Sequence, residues 1–150
     1  RLARWRLALM PDAQPWTGMS ALNPVNAFGR VDRADTDWAG WVHAVDADTG
    51  VWKWRLKSNY PVVSGMTPTA GGLVFFGDVG GNFYALDAAN GEKLWGEKLD
   101  GSIGGGVITY TAQDGAQKVA AAIGFTSVMW PTQLTTGKIV VLGVDPAAAN

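Results

Sequence analysis

Two stretches, Gly40 to Trp54 (GWVHAVDADTGVWKW) and Gly81 to Trp95 (GNFYALDAANGEKLW), carry the same residue types in the same places. Ala44 aligns with Ala85, Asp46 with Asp87, Gly50 with Gly91 and Trp54 with Trp95, every pair at one constant offset. Within each copy, Val42, Ala44 and Asp46, or Phe83, Ala85 and Asp87, alternate with His43 and Val45, or Tyr84 and Leu86. A period of two among β-branched and aromatic residues predicts strands rather than helices. The aspartates can accept hydrogen bonds from amides two residues on and so start a turn. The glycines supply the positive φ that such a turn needs. The small alanines let a neighbouring sheet lie close. The tryptophans leave the outer strand as flat side chains able to wedge between adjacent sheets, each burying roughly 150–250 Å². A strand repeat with a period of about 40 residues, closed by a tryptophan, predicts an all-β fold of β-propeller blades.

The chain is too short to close a propeller. Its 150 residues hold two to three blades at about 40–45 residues per blade, whereas rings typically close with four to eight. A set of blades this small has unpaired sheet edges and unfilled faces, so the remaining blades of a ring are expected as its partners. The expected division is an irregular leader, or the end of a preceding blade, over residues 1–38, and C-terminal propeller blades over 39–150.

Several function classes are disfavoured by composition. Twelve basic and thirteen acidic residues are scattered to a net charge of −1, with no basic stripe for nucleic acid. Cysteine is absent, which removes disulfides, thiolate metal sites and CxxCH haem attachment from this stretch. No apolar run reaches the ~18–20 residues of a membrane-spanning helix. RLARWRLALM at residues 1–10 is too short for a signal sequence and reads as the tail of a preceding element. Eight tryptophans and twenty glycines suit sheets joined by tight turns and sealed by aromatic rings.

Between residues 1 and 38, Pro11, Pro15, Pro24, Gly18 and Gly29 break any long element. Trp5 and Trp16 could seal a previous blade or anchor a loop, though their spacing fits neither. Asp32, Asp35 and Asp37 either face one hard cation or form a solvated turn with Arg30 and Arg33; the second reading is favoured because no oxygen-ligand pattern follows. Further on, Gly71-Gly72 signals a hairpin into Leu73-Val74-Phe75-Phe76, a run suited to a strand buried on both faces. Asp78 to Gly81 is read as the next turn. Leu99 to Gly106 (LDGSIGGG) is read as a flexible connection, since neither GK[ST] nor a helix follows it. Val107–Thr111 and Lys118–Ile123 are expected to pair across Gln113-Asp114-Gly115. Gly137 to Asp145 (GKIVVLGVD) resumes the alternating run as a third copy, farther beyond Gly81 than one repeat length. The additional residues fall around Phe125 to Thr136, and insertions in repeat proteins gather on one face, often the binding face. Trp130 within it is either a binding residue or a loop anchor.

No complete active site is legible. His43 is the sole histidine and sits on a strand without companion ligands. Neither Ser64 nor Ser102 stands in GxSxG, and neither HExxH nor an EF-hand pattern occurs.

AVDADTGVWKW at 44–54, YPVVSGMTPTAGGLVFFGDVGGNFYALDAANGEKLW at 60–95 and DGSIGGGVITYTAQDGAQKVAAAIGF at 100–125 resemble the C-terminal blades of PQQ-dependent alcohol dehydrogenases, the quinoprotein methanol and ethanol dehydrogenases. The resemblance runs over about residues 40–145. The family's docking motif, AxDxxTGxxxW, is matched throughout at 44–54, while Asn90 replaces its threonine at 85–95. The resemblance implies an eight-bladed propeller holding pyrroloquinoline quinone (PQQ) against a Ca²⁺ or lanthanide ion. It further implies a periplasmic enzyme that oxidises an alcohol to an aldehyde and passes electrons to a cytochrome c or quinone acceptor. The ion's ligands, the aspartate base and the basic residue at the quinone oxygens are expected in earlier blades, outside this segment, which alone is expected to be inactive. Asp35-Thr36-Asp37 mimics the paired aspartates of the lanthanide branch at a different place in the blade order. Val63-Ser64-Gly65 occupies the position where the methanol-oxidising branch carries a cofactor-adjacent tryptophan, and Trp130-Pro131 is similar to a second family tryptophan in GGWPG. Val63, Ser64, Gly65 and Trp130 are therefore the candidate cofactor-facing residues. The alternative is a non-catalytic propeller scaffold for protein–protein interaction, similar to the outer-membrane assembly lipoproteins.

Overall fold

The computed structural model describes residues 39–124 and 136–143. Among these residues every regular element is a strand, and the strands fall into three antiparallel sheets. The first sheet pairs β1 (Gly40–Val45) with β2 (Trp52–Ser58). The second runs β3 (Thr67–Pro68), β4 (Leu73–Gly77), β5 (Asn82–Asp87) and β6 (Lys93–Lys98) in spatial order. In the third, β7 (Ile103–Thr111), β8 (Gln117–Ile123) and β9 (Lys138–Gly143) lie side by side. Each strand joins the next in sequence, as in propeller blades. The middle sheet is a complete four-stranded blade. β1 and β2 correspond to its β5 and β6, and β9 occupies the third-strand place of β5.

Two separate cores flank the middle sheet, which accounts for the mixed composition of its strands. Phe76 and Leu86 pack with Val42 and Val62 on one side, joined by Trp54, Leu56 and Tyr84. Phe83 packs with Ile103, Val107, Val119, Ala121 and Ile123 on the other, joined by Phe75. Phe75 and Phe76 thus serve different cores because successive side chains of a strand point to opposite faces. The expected two-faced burial of LVFF is what the sheet shows, though Leu73, Val74 and Phe75 are half-buried and only Phe76 and Gly77 fully so. Full burial of Phe76 and of Phe83 contributes about 1.5–3 kcal/mol each. All of β6 is exposed, and Lys93, Glu97 and Lys98 on it guard an outer edge against pairing with another chain.

The two repeat hairpins superimpose in chemistry as well as in spacing. Ala44 stands directly opposite Trp54, and Ala85 opposite Trp95. Each ladder shifts register at the next residue, between Ala44 and Val45 and between Ala85 and Leu86. In both turns the aspartate carbonyl accepts the glycine N–H at 2.9 Å, Gly50 to Asp46 and Gly91 to Asp87. Both glycines have positive φ, 71° and 77°. The Asp46 carboxylate accepts the Asp48 and Thr49 amides, and the Asp87 carboxylate accepts the Ala89 amide. Asn90 takes over one of the two bonds of Thr49: its side-chain oxygen accepts the amide two residues on (Glu92, 2.8 Å), as the Thr49 hydroxyl accepts that of Val51 (3.3 Å) while also donating to the Asp46 carboxylate. Replacing the threonine therefore keeps the turn.

Trp54 fastens the first blade to the second. Its indole N–H donates to the Ala88 carbonyl at 2.9 Å, and its ring lies over Gly91, where an added Cβ would stand 2.6 Å from ring atoms. The seat of Trp54 is thus the turn of the following repeat. Trp95 packs its neighbour Phe83 edge-on (6.1 Å between centroids) and stays 41% exposed.

The structure overturns one expectation. Leu99 to Gly106 is not a flexible connection: β7 starts at Ile103, which is completely buried, pairs with Ile123 and is followed by an irregularity before Val107. Gly104-Gly105-Gly106 lies within β7 as that irregularity, opposite no β8 residue, and the Gly105 carbonyl pairs instead with the Gly65 N–H. The hairpin across Gln113-Asp114-Gly115 forms as expected. Residues 1–38, including Trp5, Trp16 and the acidic cluster at Asp32, Asp35 and Asp37, lie outside the described residues, as do 125–135 and 144–150.

Candidate functional site

Val63, Ser64 and Gly65 lie just before the short first strand of the complete blade, where that blade meets its successor. Ladder pairing between β3 and β4 covers only Thr67 with Phe75 and Pro68 with Val74. Farther along, Gly77 would have no partner on this side, and the Ser64 hydroxyl takes that place. It accepts the Gly77 N–H at 2.8 Å and lies 3.0 Å from the Gly77 carbonyl, to which it can donate. A side chain thus replaces the missing backbone partner, and residues 63–66 are released from their own sheet. They turn to the next blade instead: the Gly65 N–H donates to the Gly105 carbonyl at 3.0 Å, and the Thr67 hydroxyl donates to the Val107 carbonyl. Val63 and Ser64 are half-buried and Gly65 is exposed.

Beside Gly65, exposed Gly106 adds a second piece of bare backbone; a Cβ there would meet nothing within 4 Å. Gly65 and Gly106 thus leave exposed backbone side by side, with Gly65 close enough to the next blade that a Cβ on it would stand 3.2 Å from the Val107 nitrogen. Exposed backbone of this kind leaves room for a flat ligand, and half-buried Val63 and Ser64 lie next to it in the chain. Trp130, the fourth candidate, lies outside the described residues. No cluster of three or more His, Cys, Asp or Glu side chains suited to a metal occurs among the described residues, and none of their helices is long and apolar enough to cross a membrane. His43 packs edge-on against Trp52, 4.4 Å between centroids, away from this junction.

Sequence reasoning missed Asp78, which it treated only as the start of a turn. Its side chain is fully buried. One carboxylate oxygen accepts from Ser58 (3.0 Å), the Asn82 amide group (2.9 Å) and the Tyr84 hydroxyl (2.8 Å). The other accepts the backbone and side-chain N–H groups of Asn82, both at 3.0 Å. Ser58 closes the first blade, so this carboxylate spans two blades. Burial, and then the neighbouring Asp78 charge, pushes the Tyr84 hydroxyl well above the ordinary phenol range, so Tyr84 stays a donor. The signal was available: Asp37 precedes Asp78 by the same offset that separates the two repeat copies.

Stacked antiparallel sheets, with an indole of one seated on the turn of the next, define a β-propeller of the tryptophan-docking class. The family model PQQ_2, described as "Outer membrane protein assembly factor BamB", matches residues 39–145. Over 88 residues the chain is 40% identical to the lanthanide-dependent methanol dehydrogenase of Methylacidiphilum fumariolicum (strain SolV), covering 59% of this chain and 14% of that protein. Over 100 residues it is 36% identical to methanol dehydrogenase (cytochrome c) subunit 1 of Methylobacterium organophilum, covering 67% of this chain and 16% of the relative. The solved quinohemoprotein alcohol dehydrogenase of Comamonas testosteroni matches 70% of this chain and 16% of its own, with 27% identity and a TM-score of 0.61. The chain belongs to the PQQ-dependent alcohol dehydrogenase family of quinoproteins, matching one segment of its propeller. It spans about one-seventh of the length of the curated relatives it matches.

Proposed function

We propose that this chain forms part of a PQQ-dependent alcohol dehydrogenase, in which Val63, Ser64, Gly65 and Trp130 face the cofactor. The observation that carries the reading is the 36–40% identity to methanol dehydrogenases across the repeat blades. The bare backbone at Gly65 and Gly106 supports it, because a planar quinone needs close approach over a flat surface. PQQ, when bound, supplies the electron sink that accepts two electrons from an alcohol. This segment's own part is orientation. The Ser64 hydroxyl, fixed at Gly77, holds Val63 and Gly65 in place, and the Gly65–Gly105 bond joins the inner strands of two blades into one surface.

The ion that accompanies the quinone, Ca²⁺ or a lanthanide, would take its ligands from other blades; the name of one relative supports a lanthanide. The acceptor would be a cytochrome c, supported by the name of another, or a quinone. The site of action would be the periplasm, and residues 39–150 would be C-terminal blades that need the rest of the ring for turnover. The second reading, a non-catalytic scaffold, draws on the description of the matching family model. Full-length protein given PQQ with Ca²⁺ or a lanthanide, then assayed for dye reduction by short alcohols, separates the two. Cofactor uptake with alcohol-dependent reduction is expected; no uptake by the full-length chain would favour the scaffold.

A further inference from the structure

Two backbone routes run from the buried Asp78 to the Val63–Gly65 wall. In the first, Asp78 directly follows Gly77, whose N–H and carbonyl hold the Ser64 hydroxyl at 2.8 and 3.0 Å. In the second, the Asp78 carbonyl accepts the Ile103 N–H at 3.0 Å. Ile103 opens β7, and two residues on the Gly105 carbonyl accepts the Gly65 N–H at 3.0 Å. Both ends of the clamp on Gly65 therefore start at one residue. That residue is immobilised from the opposite side by Ser58 of the first blade and by Asn82 and Tyr84 of its own.

We propose that Asp78 is a positioning residue for the cofactor-facing wall: its carboxylate fixes the turn from which Ser64 and the inner strand of the next blade are both hung. The inference rests on reading Val63–Gly65 as facing the quinone. The side chain at 78 is best an acceptor on both oxygens, because Asn82 N–H groups, which can only donate, meet each of them. An asparagine keeps the shape but turns an N–H₂ toward donors and leaves a buried group unsatisfied. The turn must then shift. A shift there would be carried to Ser64 and Gly105 through these bonds.

The test is equilibrium binding of PQQ, with Ca²⁺ present, to full-length protein carrying Asp78→Asn, Ser64→Ala, both together, or Trp54→Phe. Asp78→Asn is expected to weaken PQQ binding on the order of tenfold, as misplaced site groups do. The double variant should be no weaker than the poorer single one, because both act through one anchor. Trp54→Phe should lower the denaturation midpoint and leave the PQQ Kd unchanged, which separates positioning from general stability. Ser58→Ala removes a single donor from the same carboxylate; if Asp78→Asn fails to fold, it reads the same linkage, with a weakening of about two- to threefold expected. Wild-type affinity in Asp78→Asn, or in Ser58→Ala where only that variant folds, would overturn the inference and leave the cofactor reading standing, as would full additivity with Ser64→Ala. A wild-type protein that takes up no PQQ would overturn both.

Discussion

Trp54 and Trp95 occupy the same place in two copies of one hairpin, yet they meet different surroundings. Trp54 lies on Gly91 and donates to the Ala88 carbonyl, both in the following repeat. Trp95 leans on Phe83 of its own blade and remains 41% exposed. Their strands, opposing alanines and preceding turns match, so the difference comes from outside the hairpin. A docking tryptophan is a half-site, and its seat is the next repeat's aspartate–glycine turn. For Trp95 the residues that follow β9 lie outside the described ones. Blade adhesion at this junction is thus a relay: the Asp87–Gly91 turn is both a local structure and the receptor for Trp54 of the preceding blade.

The largest expected effect separates those two roles of the turn. Gly91→Ala forces a side chain into the left-handed region and against the Trp54 ring, and should cost about 3 kcal/mol in full-length protein by chemical denaturation. Gly50→Ala keeps the conformational penalty, while nothing among the described residues stands within 4 Å of its Cβ; about 1 kcal/mol is expected. Equal losses would break the distinction. Next, Trp54→Ala should cost about 2–3 kcal/mol in the full-length protein, and Trp95→Ala as much if a following turn seats its ring. A Trp95 loss below about 1 kcal/mol would mean that its ring stays at the rim.

The two turn aspartates sharpen the comparison on the acid side. Asp46 accepts the Thr49 amide, the Lys53 ammonium (3.1 Å) and the Thr49 hydroxyl, which lower its pKa from 3.8 to about 2. A carboxyl lowered on folding contributes stability that is present above about pH 4 and lost as pH falls toward 2. Carboxyl titration by NMR should place Asp46 near the lower value, and Lys53→Ala with Thr49→Ala should move it back up. The smallest effect belongs to Asn90→Thr, which exchanges one amide acceptor for another and should change stability by less than about 0.5 kcal/mol.

How much of this was legible follows from what each feature depends on. The hairpins, their turns and the docking tryptophans are local patterns, and their recurrence at one fixed offset exposes them. Gly104-Gly105-Gly106 was not legible as strand, because the three form the irregularity of β7 between the Ile103–Ile123 and Val107–Ala121 pairs, and the backbone bond from Gly65 to Gly105 is one that no side chain advertises. Ser64 was singled out by family likeness, but its bond to Gly77 was invisible. It arises only because β3 pairs for two residues and leaves Gly77 a vacant ladder position. Asp78 was hidden differently. Its partner Ser58 belongs to another blade, and an aspartate opening Asp78-Val79-Gly80-Gly81 reads as an ordinary turn.

The contact between Trp54 and the next repeat's turn is tested most directly by a double-mutant cycle on full-length protein with Trp54→Ala and Gly91→Ala. A coupling of at least about 1 kcal/mol is expected, because removing the indole leaves the new methyl nothing to strike. Strict additivity would show that the two residues do not meet in the folded protein, and the blade-to-blade relay would then be wrong.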